Sequence, residues 1–317
     1  MRAALLTQYR EDFTIGTVPD PTITSPNDVI VRVGATGFCR TDIHMWDGQF
    51  NDAQQAAGIE LPFVCGHETA GWVAEVGAGV THISVGDAVL LHPLATCGYC
   101  KACRAGDDMH CAGGVFPGLF APGGFAEYVK TNARAVVPLK GNLTPVDVAP
   151  LGDAGLTAYR AVKKALPLAY PGSSTVVLGA GGLGHIGIQA LRALSQTEII
   201  VVDDGSPDDP AGILESAGKL GCEIVRSPSN DGIAAALNIG IRMAIADSAD
   251  FVLTLDQDTV LPGHYVSDCE AAFRIAAPAT RLGVVCTDRV NGQPSIPEHY
   301  TAEGLGLVRE AIQSGCL

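Results

Sequence analysis

The chain has 317 residues, enough for two domains that each bury a core. Its apolar content of 47%, 38 glycines and 17% charged residues suit a compact α/β protein and exclude a disordered or fibrous one, and the net charge of −14 argues against nucleic acid and anionic membrane surfaces as partners. No run approaches the ~18 apolar residues of a membrane span, and MRAALLTQYRED lacks a signal-peptide pattern, so the expectation is a cytoplasmic protein whose ten cysteines act as metal ligands and buried thiols more than as disulfides.

From Met1 to about Pro150 the pattern is one of short strands broken by glycine and proline, as in a β-rich domain. Strands are expected at Ala3–Leu6, Asp28–Val33, Gly71–Val76 and Ala88–Leu91. Within this half, Cys39 in GFCRTDIH and His67 in GHETAG each read, taken singly, as a buried thiol and a core histidine. Cys97, Cys100, Cys103 and Cys111 form CxxCxxCx7C, with Gly98 and Gly106 allowing a tight lobe. Four thiolates so spaced can close a tetrahedron around zinc with no open position, which describes a structural site. An iron–sulfur cluster or a set of redox thiols is the alternative use of such a run.

The stretch Thr175–Ser206, TVVLGAGGLGHIGIQALRALSQTEIIVVDDGS, reads as strand, glycine turn, helix, strand and acid. Gly179, Gly181, Gly182 and Gly184 would let backbone approach a pyrophosphate, and a helix over about Leu183–Leu194 would aim free N–H groups at it. Asp203, closing the strand Glu198–Val202, could accept both hydroxyls of an adenine ribose and would repel a 2′-phosphate, which predicts NAD over NADP. A glycine-rich turn in an ordinary α/β sheet is the plainer reading. Beyond it a helix is expected at Ala211–Lys219, a strand at Cys222–Arg226, a helix at Ile233–Ala246 and a further strand at Val284–Thr287.

Taken together, the four-cysteine lobe, GHETAG, GFCRTDIH and the glycine turn resemble the zinc-dependent medium-chain alcohol dehydrogenases over about residues 1–203. APLGDAGLTAYRAV at 149–162 is similar to that family's segment leading into the coenzyme domain, with Asp153 where a cysteine ligand is usual. The resemblance implies a catalytic zinc held by Cys39, His67 and Asp153, with Glu68 beside it, and a second zinc on the four cysteines, two per chain. It implies further that Thr41 bonds the alcohol oxygen, that His44 passes the proton to solvent and that Asp42 orients His67. Arg40 would meet the coenzyme pyrophosphate and Thr157 the nicotinamide. His82, His92, His110, Cys65 and Trp72 match no ligand position and are expected to be structural.

From about Glu198 onward the pieces resemble family 2 glycosyltransferases, rhamnosyltransferase-like members in particular. DDGS at 203–206, the helix entry at Asn230–Asn238 and Asp256-Gln257-Asp258 carry that likeness. Asp256 and Asp258 form a candidate DxD that would bridge Mg²⁺ or Mn²⁺ to a nucleotide-sugar diphosphate. A solvated strand end is the plainer reading of the same residues.

The expected fold is therefore α/β: a GroES-like zinc catalytic domain at 1–150, then a Rossmann-like parallel sheet of hybrid parentage at 151–317, dehydrogenase-like to about 203 and glycosyltransferase-like after. The expected function is an NAD-dependent zinc oxidoreductase acting on an alcohol or carbonyl of small size, secondary by the resemblance of its ligand set. Replacement of the later coenzyme-domain strands predicts impaired hydride transfer. The alternatives are a nucleotide-sugar glycosyltransferase fragment and an inactive fusion chimera. Nothing in the sequence speaks against a homo-oligomer.

Overall fold

A computed structural model of the chain describes residues 1–206 and 212–246, together with the backbone of four short strands between 289 and 312. The chain divides into two compact units, Met1–Gln257 and Asp258–Leu317.

The first unit opens with a hairpin-like pair, β1 (Arg2–Leu5) and β2 (Thr14–Thr17). Next come β3 (Asp28–Gly37), helices α1 (Arg40–Asp47) and α2 (Asn51–Ala56), then β4 (Glu68–Val76) and β5 (Ala88–Leu91). A short helix α3 (Lys101–Arg104) precedes β6 (Tyr128–Asn132) and β7 (Val136–Pro138). These build a five-stranded antiparallel sheet in the order β6-β3-β4-β5-β7. β-Branched residues dominate its core, where Val29, Val31, Val73, Val89, Val129 and Val136 pack with Ile83 and Leu91. Burying each such side chain contributes about 1.5–3 kcal/mol against chain entropy.

α4 (Pro145–Val148) and a 3-10 turn at Ala149–Gly152 carry the chain into α5 (Ala154–Ala165). Then follow β8 (Ser174–Leu178), α6 (Gly184–Leu194), β9 (Glu198–Asp203), α7 (Ile213–Lys219), β10 (Glu223–Arg226) and α8 (Ile233–Ala246). The three strands form a parallel sheet ordered β10-β9-β8, which is the 3-2-1 arrangement of a Rossmann half. β9 is the middle strand with both faces covered, so it reads as the unbroken apolar run IIVV and every one of those residues is buried. Ile188 and Leu191, three apart on α6, pack on Ile199 and Val201 and meet Val162 of α5.

The strands expected within the described residues are all present, and two are longer than expected: β3 runs four residues past Val33, and β4 starts three before Gly71. The longer ends matter, because the candidate ligands sit on them. In the second unit the described backbone is two antiparallel pairs, 289–290 with 293–294 and Pro297–Ala302 with Leu307–Ile312. Asp256, Asp258 and the strand expected at Val284–Thr287 lie outside the described residues. No helix among the described residues is long and apolar enough to cross a membrane.

Candidate active site

Strand register brings the first two ligand candidates together. Gly37, the last residue of β3, is paired with Glu68, the first of β4. Cys39 follows the one strand end by two residues and His67 precedes the other by one, so both arrive at the same edge of the sheet. A Cβ at Gly37 would stand 1.9 Å from Glu68 Oε2, so a larger residue there would displace that carboxylate. Gly66 carries φ +94, in the left-handed region, and presses on the ring of Phe125.

Cys39 is also the N-cap of α1. Its carbonyl accepts the Asp42 backbone N–H at 3.0 Å, and Asp42 Oδ2 accepts the Cys39 N–H at 2.9 Å, so each residue caps the other. Asp42 is fully buried, and its second oxygen accepts the Gly66 N–H at 3.2 Å and lies 3.5 Å from His67 Nδ1. One carboxylate thereby ties the cysteine segment to the histidine segment. Asp153 enters from the N-cap of α5, with Oδ2 3.4 Å from His67 Nε2 and 3.8 Å from Cys39 Sγ.

The donor set fits zinc. For bonds of ~2.0–2.3 Å a tetrahedral site has N···O and S···O edges of about 3.4 and 3.6 Å, close to the observed separations. Burial opposes a proton on the His67 imidazole, yet hydrogen bonds with Asp153, Asp42 and Cys39 prevail and push its pKa up to about 12. Asp42, Asp153 and Glu68 gather acidic groups around the imidazole, a setting suited to a cation. Glu68, buried beside the three, has its pKa raised by burial and by Asp153, against the opposing effect of the Ala154 N–H, which it accepts at 3.3 Å through Oε1.

The cysteine lobe is a second and different site. Cys97, Cys100, Cys103 and Cys111 are free thiols whose sulfurs all lie within 4.8 Å of one another. Cys97 and Cys103 sulfurs are 4.0 Å apart, against about 3.8 Å for the edge of a tetrahedral zinc–thiolate site. Backbone N–H groups point at the sulfurs: Cys97 to Cys111 at 3.3 Å, Cys100 to Cys97 at 3.4 Å and Cys103 to Cys100 at 3.5 Å. N–H groups of Cys103 and Ala112 pull the Cys100 thiol down to about 6, and the Cys97 N–H lowers Cys111. Burial pushes Cys103 the other way, up to about 12. These two sets are the clusters among the described residues that could hold a metal ion.

Thr41 and His44 lie three apart on α1, on one face of the helix that Cys39 caps. His44 Nδ1 is buried and has no hydrogen-bond partner among the described residues. Arg40 is exposed at the start of the same helix, and Thr157 is half-buried in the first turn of α5, its N–H on the Asp153 carbonyl at 2.8 Å. Cys65, expected to be structural, is a fully buried thiol raised to about 12 by burial and by the charge of Asp42.

The glycine turn closes on the parallel sheet through a Gly179 N–H to the Val202 carbonyl at 2.8 Å. Gly184, first residue of α6, packs so tightly that a Cβ would stand 2.0 Å from the Gly179 oxygen. Gly181 and Gly182 face open space, the arrangement that a pyrophosphate lying on bare backbone needs. Asp203 ends β9 as expected, buried, but it is not alone. Arg226 Nε lies 2.9 Å from Asp203 Oδ2, an ion-pair contact without hydrogen-bond alignment. Sequence reasoning missed Arg226, because an arginine at a strand end carries no signal until the register sets it opposite the acid.

Comparison with known proteins gives two family matches. The alcohol dehydrogenase GroES-like domain covers residues 25–141, and glycosyl transferase family 2 covers 188–290. An alcohol dehydrogenase of Geobacillus stearothermophilus is 36% identical over 235 residues, 74% of this chain and 66% of that enzyme. An NAD-dependent alcohol dehydrogenase of Sulfurisphaera tokodaii is 33% identical over 259 residues, 81% of this chain and 72% of the relative. Among solved structures, the alcohol dehydrogenase of Aeropyrum pernix superposes with a TM-score of 0.68 at 38% identity, covering 80% of this chain and 70% of that one. The chain thus spans slightly less than two thirds of the Geobacillus enzyme's length. A match of 259 residues reaches beyond residue 203, so the two likenesses overlap across β9, α7 and β10 and do not meet at a point.

Proposed function

The chain belongs to the alcohol dehydrogenase family, and from that premise we propose that it is a zinc-dependent oxidoreductase that transfers a hydride between a small alcohol, secondary by the likeness of its ligand set, and NAD. The observation that carries the proposal is the Cys39–His67–Asp153 cluster, three protein donors of mixed type at tetrahedral spacing, in contrast to the closed set of four thiols.

Cys39, His67 and Asp153 would hold the catalytic zinc, and Cys97, Cys100, Cys103 and Cys111 the structural one. The catalytic ion, when bound, supplies Lewis-acid chemistry at the substrate oxygen. The chain's own groups do the rest. Asp42 fixes the His67 ring through its buried contacts. Thr41 bonds the alcohol oxygen and orients it, and His44, one helical turn along, carries the released proton on to solvent. Glu68 keeps a second carboxylate beside the ligand set, anchored by Ala154. Gly179, Gly181, Gly182 and Gly184 seat the pyrophosphate with Arg40 as its counter-charge, Asp203 takes the adenine ribose, and Thr157 approaches the nicotinamide.

The test is steady-state oxidation of simple secondary alcohols by zinc-replete protein, followed as NADH formation. Turnover is expected, and Thr41→Ala should reduce it by roughly 10²–10⁴-fold with zinc content unchanged. Absence of alcohol-dependent reduction of NAD and of NADP alike, or full activity in Thr41→Ala, overturns the reading.

A further inference from the structure

Asp203 was expected to face a ribose as a free carboxylate, and its surroundings give it a different character. Asp203 and Arg226 are opposed in the parallel register of β9 and β10, at the carboxyl edge of the sheet where the glycine turn also lies. Arg226 touches Asp203 Oδ2 through Nε and donates from Nη2 to the Ser206 carbonyl. That carboxylate oxygen is sealed from solvent, while the arginine side chain stays 48% exposed. The guanidinium, with Gly205, Ser206, Ser227 and Pro228, borders an open hollow of about 470 Å³. The neighbouring acid does not compete for it: Asp204 turns to the following loop and accepts the N–H groups of Asp231 at 3.3 Å and Gly232 at 2.8 Å.

A lone carboxylate at this place would repel a phosphate on the ribose 2′ oxygen. Paired with Arg226 at 2.9 Å its charge is cancelled locally, and the pair presents its cationic member to the hollow. A guanidinium has five N–H donors in a planar fork suited to phosphate oxygens, and the two inward contacts leave the others for a ligand. Ser206 and Ser227 line the same hollow. We propose that Arg226 makes this hollow a 2′-phosphate subsite, so that the coenzyme site takes NADP in preference to NAD. The inference rests on the dinucleotide reading above and reverses the selectivity that Asp203 alone would impose.

The adenosine end can be probed without the nicotinamide. Calorimetric titration of the full-length, zinc-replete protein with 2′,5′-ADP and with ADP is expected to show the 2′-phosphorylated nucleotide binding about tenfold or more tightly. Arg226→Ala should abolish that preference, and Arg226→Lys, which keeps the charge without the fork, should retain part of it. Equal affinities in the wild type, a preference for ADP, a preference that survives in Arg226→Ala, binding of UDP in place of either adenine nucleotide, or no nucleotide binding would each overturn the subsite. The dehydrogenase reading fails separately. A 2′-phosphate preference without alcohol oxidation by NADP or NAD leaves the subsite standing, and oxidation by NAD without that preference does the opposite.

Discussion

Asp42 works through both of its oxygens. Oδ2 holds the Cys39 N–H, and Oδ1 holds the Gly66 N–H beside the His67 ring. Removing a buried acceptor strands those donors at a cost of about 1–3 kcal/mol, and it frees the ring to turn. Asp42→Ala should therefore weaken metal at the Cys39–His67–Asp153 site by roughly 10–100-fold, measured by chelator competition, while the four-cysteine site is unaffected; equal affinity would mean that Asp42 serves only the fold. Asp28 acts on stability alone. Burial raises the pKa of its carboxyl, but the N–H groups of Thr24 and Ser25, the Thr24 hydroxyl and Lys130 outweigh that and leave it below the usual value. A folded-state pKa below the unfolded one contributes stability above the unfolded value of about 4, and that stability is lost as pH falls through the folded value. Asp28→Asn should cost about 1 kcal/mol at neutral pH in denaturant melts, with the difference closing as the carboxyl protonates in acid. A cost independent of pH would contradict the assignment. Cys39, His67 and the four-cysteine spacing were legible in the sequence because metal ligands are chemically scarce types at fixed intervals. Asp28 was read only as the start of a strand, since a carboxylate in a turn looks like any solvated one until its donors are placed.

At the scale of elements, the glycine turn divides its residues by task. Gly184 has no room for a side chain, and Gly181 has open space in front of it. Gly184→Ala should thus lower both the melting temperature and dinucleotide affinity, because the Gly179 carbonyl must move. Gly181→Ala should leave the melting temperature unchanged and weaken dinucleotide binding by about tenfold or more, since a methyl would stand where the pyrophosphate approaches. Thermal melts and calorimetry on both variants check this; undiminished affinity in Gly181→Ala would place the dinucleotide elsewhere. The parallel strands were legible in the apolar runs, because a central strand with both faces buried announces itself, while their order is read from the structure. Register was not legible. An alternating or apolar run fixes which face is buried and leaves the cross-strand partner open, so the pairs Gly37–Glu68 and Asp203–Arg226 emerged only with the fold.

Across the whole molecule, two kinds of likeness occupy one continuous sheet. Strand β9 closes the dehydrogenase glycine turn through Val202 and holds β10 in register through Asp203, within the span that the glycosyl transferase family also matches. Both families can share this stretch because a parallel β-α-β unit asks the same of either: a tight turn, a helix and an acid at the second strand's end. The metal half is less ambiguous, since two donor sets of different composition lie on one compact unit. Zinc content measured by elemental analysis on protein purified without added metal tests this most directly. The account predicts close to two zinc ions per chain, falling to one in the Cys39→Ala, His67→Ala double variant with the four-cysteine site retained; a wild-type value near one, unchanged in that variant, would contradict it.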